Sequence, residues 1–321
     1  MANSKINIYY SADNRLYKQF LISLISLTEN NKDNELHIIN FDVEIPEYNK
    51  NGKKLNDSQI SIIETIIKKY NKKNTFREVN VSDLVRKYLL DPTSPNANAE
   101  NNEYKFNAYL YIRLLFPFVK DMPKKIIWLD CDTIINRDLS DYWNIDVSHV
   151  DFAATRDIAK FKIALPKWAL TKENKNTYML QNGVLLFETK NLEPIYLQIL
   201  ELYKTKFLGN FGDMAFLNLL SKNKMEVSVG FNCYKYTKNC YIHHVCATGI
   251  CPGWILSKFL YCCAKKCSSV NGTLKRIDVF FPFSYIFSKV IRKIKPDDVR
   301  IRNLYPAYKK YFDMTDEYLQ K

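Results

Sequence analysis

Glycine is scarce in this chain. The 321 residues include 8 glycines, and they form neither a Gly-x-Gly-x-x-Gly run nor a phosphate loop ending in Gly-Lys-Ser/Thr. Those loops hold phosphate groups on backbone N–H groups at the start of a helix. A phosphate-bearing ligand would therefore need a metal ion and side chains instead of a glycine cradle.

Long apolar runs are also absent. The longest candidate, Ile277 to Phe287, has 11 residues and contains Asp278 and Pro282, whereas a membrane-spanning helix needs about 18 or more. The N-terminal stretch Met1 to Tyr10 has no apolar region typical of a signal peptide. The eight cysteines therefore predict reduced thiols in a cytoplasmic protein.

Positive charge is in excess and unevenly distributed. The formal net charge is +13, and the last fifth of the chain, Ile255 to Lys321, holds 14 Lys/Arg against 6 Asp/Glu. Such a tail favours an anionic partner. No nucleic-acid recognition motif accompanies it, so the aromatic and basic residues from Ile255 to Lys295 predict attachment to the inner face of a membrane. A helical cap with a solvated basic face, or nucleic-acid binding, stays open as an alternative.

The first third of the chain alternates between strand and helix patterns. Strands are predicted at Lys5 to Tyr10, Glu35 to Phe41 and Phe76 to Val81, with helices at Tyr17 to Leu27 and Gln59 to Lys69. This alternation indicates an α/β fold with a largely parallel sheet.

The next part of the chain begins with a polar loop. Asp91 to Glu103 is rich in asparagine and unpatterned, and Tyr104 to Phe116 then predicts a helix that carries Arg113. Later strands are predicted at the segments Asp151 to Thr155, Val184 to Phe187 and Met225 to Phe231.

Two carboxylates follow a short, continuous apolar run that suits a strand buried on both faces. The residues Lys125 to Leu129 lead directly into Asp130, Cys131 and Asp132. Alternate strand residues share a face, so the two aspartates can point the same way at the carboxyl end of a central strand, where α/β sheets bind ligands. A divalent cation would neutralise the pair. A solvated polar turn is the alternative reading, because an isolated Asp-x-Asp is a weak motif.

Two of the four histidines are adjacent. His243 and His244 lie between a predicted strand and a Gly/Pro turn. Near a metal site such a pair can supply a ligand. A zinc module is a weaker alternative because its cysteines lack regular spacing; it would use His243, His244, Cys246, Cys251, Cys262, Cys263 and Cys267.

Together these segments resemble glycosyltransferase family 8, the retaining sugar transferases that include bacterial lipopolysaccharide glucosyl- and galactosyltransferases and glycogenin. The similarity runs from Lys5 to Trp254. Its most specific part comprises, in order, Tyr111 to Pro117, Ile126 to Asn136, Asp138-Leu139 and Tyr142-Trp143. The resemblance implies a GT-A fold, which is Rossmann-like with a mostly parallel central sheet flanked by helices. It also implies Mn²⁺ or Mg²⁺, and UDP-glucose or UDP-galactose as donor.

The resemblance assigns roles by position. The expected metal ligands are Asp130, Asp132 and His243, with His244 in reserve. The residues expected at the nucleotide-sugar are Ser11, Ala12, Asp13, Asn14, Arg113 and Asn182. The residues expected at the transferred sugar and its reaction are Asp157, Gln181 and Asp213.

Three positions depart from the family pattern. Met214 stands where a glutamine is common, and Cys246-Ala247 stands where a glycine follows the histidine. The family's Lys-Pro-Trp appears as Cys251-Pro252-Gly253-Trp254, which removes a cation from the leaving diphosphate. These changes leave open a catalytically impaired member.

The resemblance implies a two-part chain. Residues 1–254 are expected to form the catalytic domain, and residues 255–321 a small helical extension that is basic and aromatic. The implied reaction is transfer of a hexose to a glycan, such as lipopolysaccharide, lipooligosaccharide or another lipid-linked surface glycan. Binding to nucleic acid is not expected.

Overall fold

The computed structural model describes residues 5–46, 52–91, 93–96, 108–209, 211–234, 239–245 and 308–320, with the side chains of residues 108, 109 and 158 left out. Most of the predicted polar loop and residues 255–307 of the predicted extension lie outside this part. The described residues form an eight-stranded sheet flanked by helices and a separate two-stranded sheet.

The N-terminal elements form in the predicted order. They are β1 (Lys5–Ser11), α1 (Tyr17–Asn30), β2 (Glu35–Asp42), α2 (Asp57–Tyr70) and β3 (Thr75–Asn80). The three strands pair in parallel, as predicted. Helix α2 begins with a capping box between Asn56 and Gln59, because each side chain binds a backbone N–H of the other residue.

The remaining elements complete the sheet and its helical layers. In order they are α3 (Ser82–Tyr88), a 3₁₀ helix (Ala108–Phe118), β4 (Lys125–Leu129), β5 (Thr133–Ile135), α4 (Ser140–Trp143), β6 (Phe152–Lys160), α5 (Phe161–Ala164), a 3₁₀ turn (Lys167–Ala169), β7 (Tyr178–Leu180), β8 (Val184–Glu188), α6 (Thr189–Thr205), α7 (Gly212–Leu220), β9 (Lys224–Val227), a 3₁₀ turn (Val229–Phe231), β10 (Ile242–His244) and α8 (Lys309–Leu319).

The main sheet has the order β3-β2-β1-β4-β8-β6-β7, and β9 pairs with β6. Strands β3, β2, β1 and β4 are parallel, β8 runs antiparallel to both β4 and β6, and β9 is parallel to β6. The α/β class and the mostly parallel sheet are therefore confirmed, and β4 occupies the centre.

Several boundaries differ from the sequence expectation. The strand predicted at Asp151 to Thr155 is β6, which continues to Lys160. The segment around Arg113 is a 3₁₀ helix from Ala108 that continues through Pro117 to Phe118. The predicted strand from Met225 to Phe231 ends at Val227, because the side chain of Ser228 accepts a hydrogen bond from Gly230 N and starts a 3₁₀ turn.

Apolar clusters cover both faces of the sheet. Tyr9 and Trp128 lie in one cluster, with their ring centroids 4.3 Å apart, while Ile8 and Ile127 lie in the other. Neighbouring residues of a strand point to opposite faces, so β1 and β4 are buried on both sides. This explains why their sequences are almost continuously apolar.

The last helix, α8, packs on α1. Tyr311 and Phe312 are buried, and Lys310 Nζ lies 2.7 Å from the Glu29 carboxylate of α1. The end of the predicted extension is thus part of the core cluster beneath α1. No helix in the described ranges is both long and apolar enough to span a membrane.

Candidate active site

The carboxylate of Asp130 lies just beyond the end of β4. Its Oδ1 accepts hydrogen bonds from Trp128 Nε1 at 2.7 Å and from Arg113 Nη2 at 3.1 Å. Its backbone N–H donates to Gly183 O at 2.8 Å. Because two donors occupy Oδ1, the other oxygen, Oδ2, is directed toward His244, whose Nε2 is 3.9 Å away.

The second carboxylate, Asp132, lies beside the same imidazole. His244 Nε2 is 3.1 Å from Asp132 Oδ1. Strands β5 and β10 pair antiparallel, with His244 opposite Thr133, and Val245 N donates to Asp132 O at 2.8 Å. This small sheet is what brings residues more than a hundred positions apart to one point.

The structure corrects the choice between the two histidines. His243 turns away from the carboxylates, and its Nδ1 lies 3.0 Å from the Tyr308 hydroxyl. His244 alone of the pair reaches Asp130 and Asp132. The physical reason is strand alternation in β10, which sends adjacent side chains to opposite faces.

Asp130, Asp132 and His244 can together hold a metal ion. One ligand atom from each residue lies within 4.8 Å of the others. Two carboxylate oxygens and one imidazole nitrogen suit Mn²⁺, since oxygen ligands fit Mg²⁺ and Mn²⁺ and imidazole favours transition metals. The donor set therefore fits the implied cation.

The surroundings of the two carboxylates shift their pKa values in opposite directions, so Asp132 ionises more readily than Asp130. Burial raises the pKa of Asp130, although Arg113 and His244 oppose that effect. Burial also acts on Asp132, but attraction and a hydrogen bond from His244 hold its pKa below the usual value. The pKa of His244 is raised, because its attraction to Asp132 outweighs the cost of burial.

Arg113 is buried and contacts residues of several elements. Its guanidinium donates to Asn182 O at 2.6 Å and lies 3.4 Å from the Asp213 carboxylate. It also stacks over the Trp128 ring at 4.4 Å. A buried arginine needs carboxylate partners, and Asp130 and Asp213 supply them, so Arg113 ties the metal cluster to α7.

Three residues expected at the donor contact Arg113 or the metal cluster. Asn182 donates to Asp213 Oδ2 at 2.7 Å. Gln181 Oε1 accepts from Asn232 Nδ2 at 3.0 Å and from Gly183 N, and Gln181 Nε2 lies 3.4 Å from His244 Nδ1. Gln181 thus contacts the proposed metal ligand directly.

Asp157 reaches the cluster through Tyr234. The Tyr234 hydroxyl donates to Asp157 Oδ2 at 2.7 Å, and the Tyr234 ring stacks with the His244 ring at a centroid distance of 6.1 Å. Ala159 N donates to Asp157 Oδ1 at 2.6 Å. Both carboxylate oxygens of Asp157 are therefore fixed.

The expected nucleotide segment, Ser11 to Asn14, follows β1. Asp13 is buried and pairs with Arg15 Nε at 2.6 Å, while Ala12 exchanges two hydrogen bonds with the side chain of Asn40. Asn14 N donates to Lys53 O at 3.1 Å. These contacts fix the backbone of the segment.

A cavity joins this segment to the metal cluster. It has a volume of about 270 Å³, close to the lower end of ligand-pocket sizes. Residues from the β1 end, the β2 end, the 3₁₀ helix and the β4 end line it, among them Ser11, Asp13, Val43, Arg113, Trp128, Asp130 and Asp132. The cavity therefore lies where parallel strands end, as the sheet topology predicts.

Of the three departures from the family pattern, one lies among the described residues. Met214 is buried in the first turn of α7, beside Asp213. Cys246-Ala247 and Cys251 to Trp254 lie outside the described residues.

Sequence reasoning did not single out several supporting residues. Trp128, Asn232 and Tyr234 each hold an expected site residue in place. Gly183 leaves no room for a side chain, because a Cβ there would overlap the His244 ring and lie 2.9 Å from Asp130 Oδ2. The position of Trp128, two residues before Asp130 on the same strand face, was the one available sequence signal.

Comparison with known proteins identifies a family and similar folds. The family model for Glycosyl transferase family 8 matches residues 7–245. A structure of galactosyltransferase LgtC with donor and acceptor sugar analogs is similar, with a TM-score of 0.52 and 17% identity over 71% of this chain and 75% of that chain. No curated protein matches the chain.

Two further structures share the fold. An active-site mutant of LgtC has a TM-score of 0.54 and 15% identity, covering 85% of this chain and 99% of that chain. Mouse xyloside xylosyltransferase 1 has a TM-score of 0.51 and 13% identity, covering 75% of this chain and 97% of that chain. At such identities the likeness concerns the fold.

Proposed function

Because this chain belongs to glycosyltransferase family 8, we propose that it is a retaining, metal-dependent hexosyltransferase. Its donor would be UDP-glucose or UDP-galactose. The observation that carries the proposal is the convergence of Asp130, Asp132 and His244 beside a cavity at the ends of β1 and β4. The galactosyltransferase activity named for LgtC favours galactose as the first sugar to test.

Different residues would bind the nucleoside and the diphosphate of the donor. Ser11 and Asp13 line the cavity and would bind the nucleoside, while Asp130, Asp132 and His244 would hold Mn²⁺ or Mg²⁺. That cation, when bound, would act as a Lewis acid that stabilises charge on the departing diphosphate.

The sugar would lie against Asp157, Gln181, Asn182 and Asp213. Their carboxylate and amide oxygens can accept hydrogen bonds from sugar hydroxyls and stabilise positive charge at the anomeric carbon. Met214 cannot act as an oxygen nucleophile, so we propose that the acceptor hydroxyl attacks from the face that the diphosphate leaves. The bond from the anomeric carbon to the diphosphate breaks as the new glycosidic bond forms, and an oxygen of the departing diphosphate takes the proton of the acceptor hydroxyl. Mass spectrometry of enzyme quenched during turnover would contradict this if it found hexose covalently bound to Asp157, Gln181 or Asp213.

The acceptor is proposed to be a glycan, with lipopolysaccharide or another lipid-linked surface glycan as the class to test. The basic residues of Ile255 to Lys295 support attachment to an anionic membrane surface from the cytoplasmic side. Full-length protein that stays in the supernatant with anionic vesicles at low salt would contradict this attachment.

A donor screen tests the reaction without knowledge of the acceptor. UDP-sugars are incubated with the protein and Mn²⁺, and release of UDP is measured, with Asp132→Asn as the matched inactive control. We expect hydrolysis of one UDP-hexose that needs both the metal and Asp132. UDP-sugar binding without turnover would favour the impaired alternative, and absence of binding would contradict a donor site.

A further inference from the structure

An arm on the β7 side of the main sheet carries features that the transferase chemistry does not use. Residues 161–177 connect β6 to β7 and include α5 and a 3₁₀ turn. The base of the arm is closed by hydrogen bonds from Phe161 N to Thr177 O and from Lys162 N to Lys175 O, each 3.1 Å long. The arm is therefore a folded element with a defined surface.

Exposed apolar side chains cluster on and beside this arm. Half of the large hydrophobic side chains that are exposed in the described residues belong to the arm, to the first residue of β7 or to the neighbouring α6–α7 connection: Ile163, Trp168, Tyr178, Phe207 and Phe211. Trp168 Nε1 donates to Phe207 O at 2.9 Å, which joins the two segments. Scattered apolar residues need no explanation, but a cluster indicates an interaction surface.

Lysines surround these apolar residues. Between positions 160 and 178 the chain has five lysines and one acidic residue, Glu173. Lys160 Nζ lies 4.4 Å from the Tyr178 ring centroid, and Lys206 Nζ lies 6.0 Å from that of Trp168. The following lysines make no ion pair within the described part of the chain: Lys160, Lys162, Lys167, Lys172, Lys175 and Lys206. The surface thus presents free positive charge around apolar groups.

The surface lies next to the candidate active site. Phe211 immediately precedes α7, whose second residue is Asp213. Trp168 stacks on Phe216 with ring centroids 5.3 Å apart, and Phe216 is about one helical turn beyond Asp213. A partner bound here would be held close to the site.

We propose that this lysine–aromatic surface docks on an anionic lipid bilayer. Ile163 and Trp168 would enter the interfacial region, and the lysines would bind lipid phosphates. A free glycan is a poorer fit for two reasons. One face of the Trp168 ring is covered by Phe216. Ile163, which is 64% exposed, has no ring on which a sugar could stack. The inference rests on the proposed function only in that it would bring the site to a lipid-linked acceptor.

Vesicle binding tests the proposal with the full chain and no donor or metal. The vesicles contain roughly one part phosphatidylglycerol to three parts phosphatidylcholine, with pure phosphatidylcholine for comparison. We expect the triple variant Lys162→Glu, Lys167→Glu and Lys175→Glu to lower the partition coefficient on the order of a hundredfold. The same lysines changed to Gln should give a smaller loss.

A matched control has the same net charge. Lys32→Glu, Lys72→Glu and Lys73→Glu alter exposed lysines beside β3, at the opposite edge of the sheet from β7, and should bind vesicles almost like the wild type. Tryptophan emission should shift to shorter wavelength on binding, and Trp168→Phe should reduce that shift. Thermal melts establish that each variant is folded.

The possible outcomes distinguish failure of the docking proposal from failure of the transferase proposal. Equal binding by both triple variants and the wild type would overturn the proposal, and so would a Trp168→Phe variant that changes only the apparent KM for a soluble glycan. UDP-sugar hydrolysis without vesicles should be unaffected by the arm variants. Loss of vesicle binding with hydrolysis intact supports the docking surface, whereas absent hydrolysis with normal docking contradicts only the transferase proposal.

Discussion

Trp128 Nε1 donates a 2.7 Å hydrogen bond to Oδ1 of Asp130. The two residues are separated by one position on β4 and its extension, so they lie on the same face of the sheet. The bond fixes the carboxylate with its second oxygen toward His244. A tryptophan of the buried sheet therefore orients a proposed metal ligand.

Removing this donor should weaken metal binding. Trp128→Phe keeps an aromatic ring beneath Arg113 but removes the indole N–H, and we expect the Kd for Mn²⁺ to rise by about tenfold to a hundredfold, as for other partners of metal ligands. Titration calorimetry measures the change, with Trp143→Phe on α4 as the control. An unchanged Kd would show that the bond does not orient Asp130 for a metal.

The two histidines should behave differently. His244→Ala removes an imidazole beside both carboxylates, and we expect Mn²⁺ affinity to fall by roughly a hundredfold or more. His243→Ala should mainly lower the melting temperature, because His243 is buried against Tyr308. Calorimetry and thermal melts of both variants separate the effects; equal losses of metal affinity would contradict the assignment.

Gly183 should be intolerant of a side chain. Gly183→Ala would place a methyl group against His244 and Asp130, and overpacking of a buried site costs about 1–3 kcal/mol. We expect a lower free energy of unfolding together with loss of Mn²⁺ binding. Urea denaturation and metal titration provide the two measurements, and a variant that keeps both properties would refute the close packing.

Asp42 should make stability depend on pH. Burial, followed by a hydrogen bond with Glu78, raises the pKa of Asp42 to about 8, against about 3.9 in the unfolded chain. Between these two pKa values the folded state therefore binds more protons than the unfolded state does. The stability that Asp42 contributes is therefore complete below the pKa of the unfolded chain, and it is lost as the pH rises to about 8, the pKa in the folded state.

Urea denaturation across this pH range measures the effect. The free energy of unfolding of Asp42→Asn relative to the wild type should increase as the pH rises from about 4 to 8. Asp33→Asn, at an exposed site, should produce no such trend. A constant difference between Asp42→Asn and the wild type would mean that Asp42 ionises normally.

Tyr234 should act through Asp157. Tyr234→Phe removes the hydroxyl that donates to Asp157 Oδ2 and keeps the ring beside His244. We expect UDP-sugar hydrolysis to fall by about tenfold, the scale of one hydrogen bond to a charged group, with the Kd values for Mn²⁺ and UDP unchanged. A parallel loss of UDP affinity would instead indicate a role at the nucleotide.

The elements of the fold were largely predictable because local patterns specify them. The apolar runs of β1, β2 and β4 indicate strands buried on both faces, and their alternation with α1 and α2 predicts parallel pairing. The 3₁₀ form around Arg113 was not predictable, since an apolar helical pattern does not distinguish 3₁₀ from α geometry.

The candidate site was predictable in its residue types and only partly in its arrangement. Asp130 and Asp132 follow a central strand, so their shared position at its carboxyl end comes from strand periodicity alone. The choice of His244 over His243 depends on the face that β10 presents after it pairs with β5. The contacts of Arg113 also depend on tertiary structure, because its partners Asp130 and Asp213 are 17 and 100 positions away in the sequence.

The sequence by itself determined the α/β class, the family resemblance and the two carboxylates, because each depends on residues close together in the chain. The tertiary structure decided which histidine meets those carboxylates and which groups orient them. It also gathered the lysines and aromatic residues of two separate segments into one surface. Such long-range contacts depend on how strands and helices pack, and no local pattern records that packing.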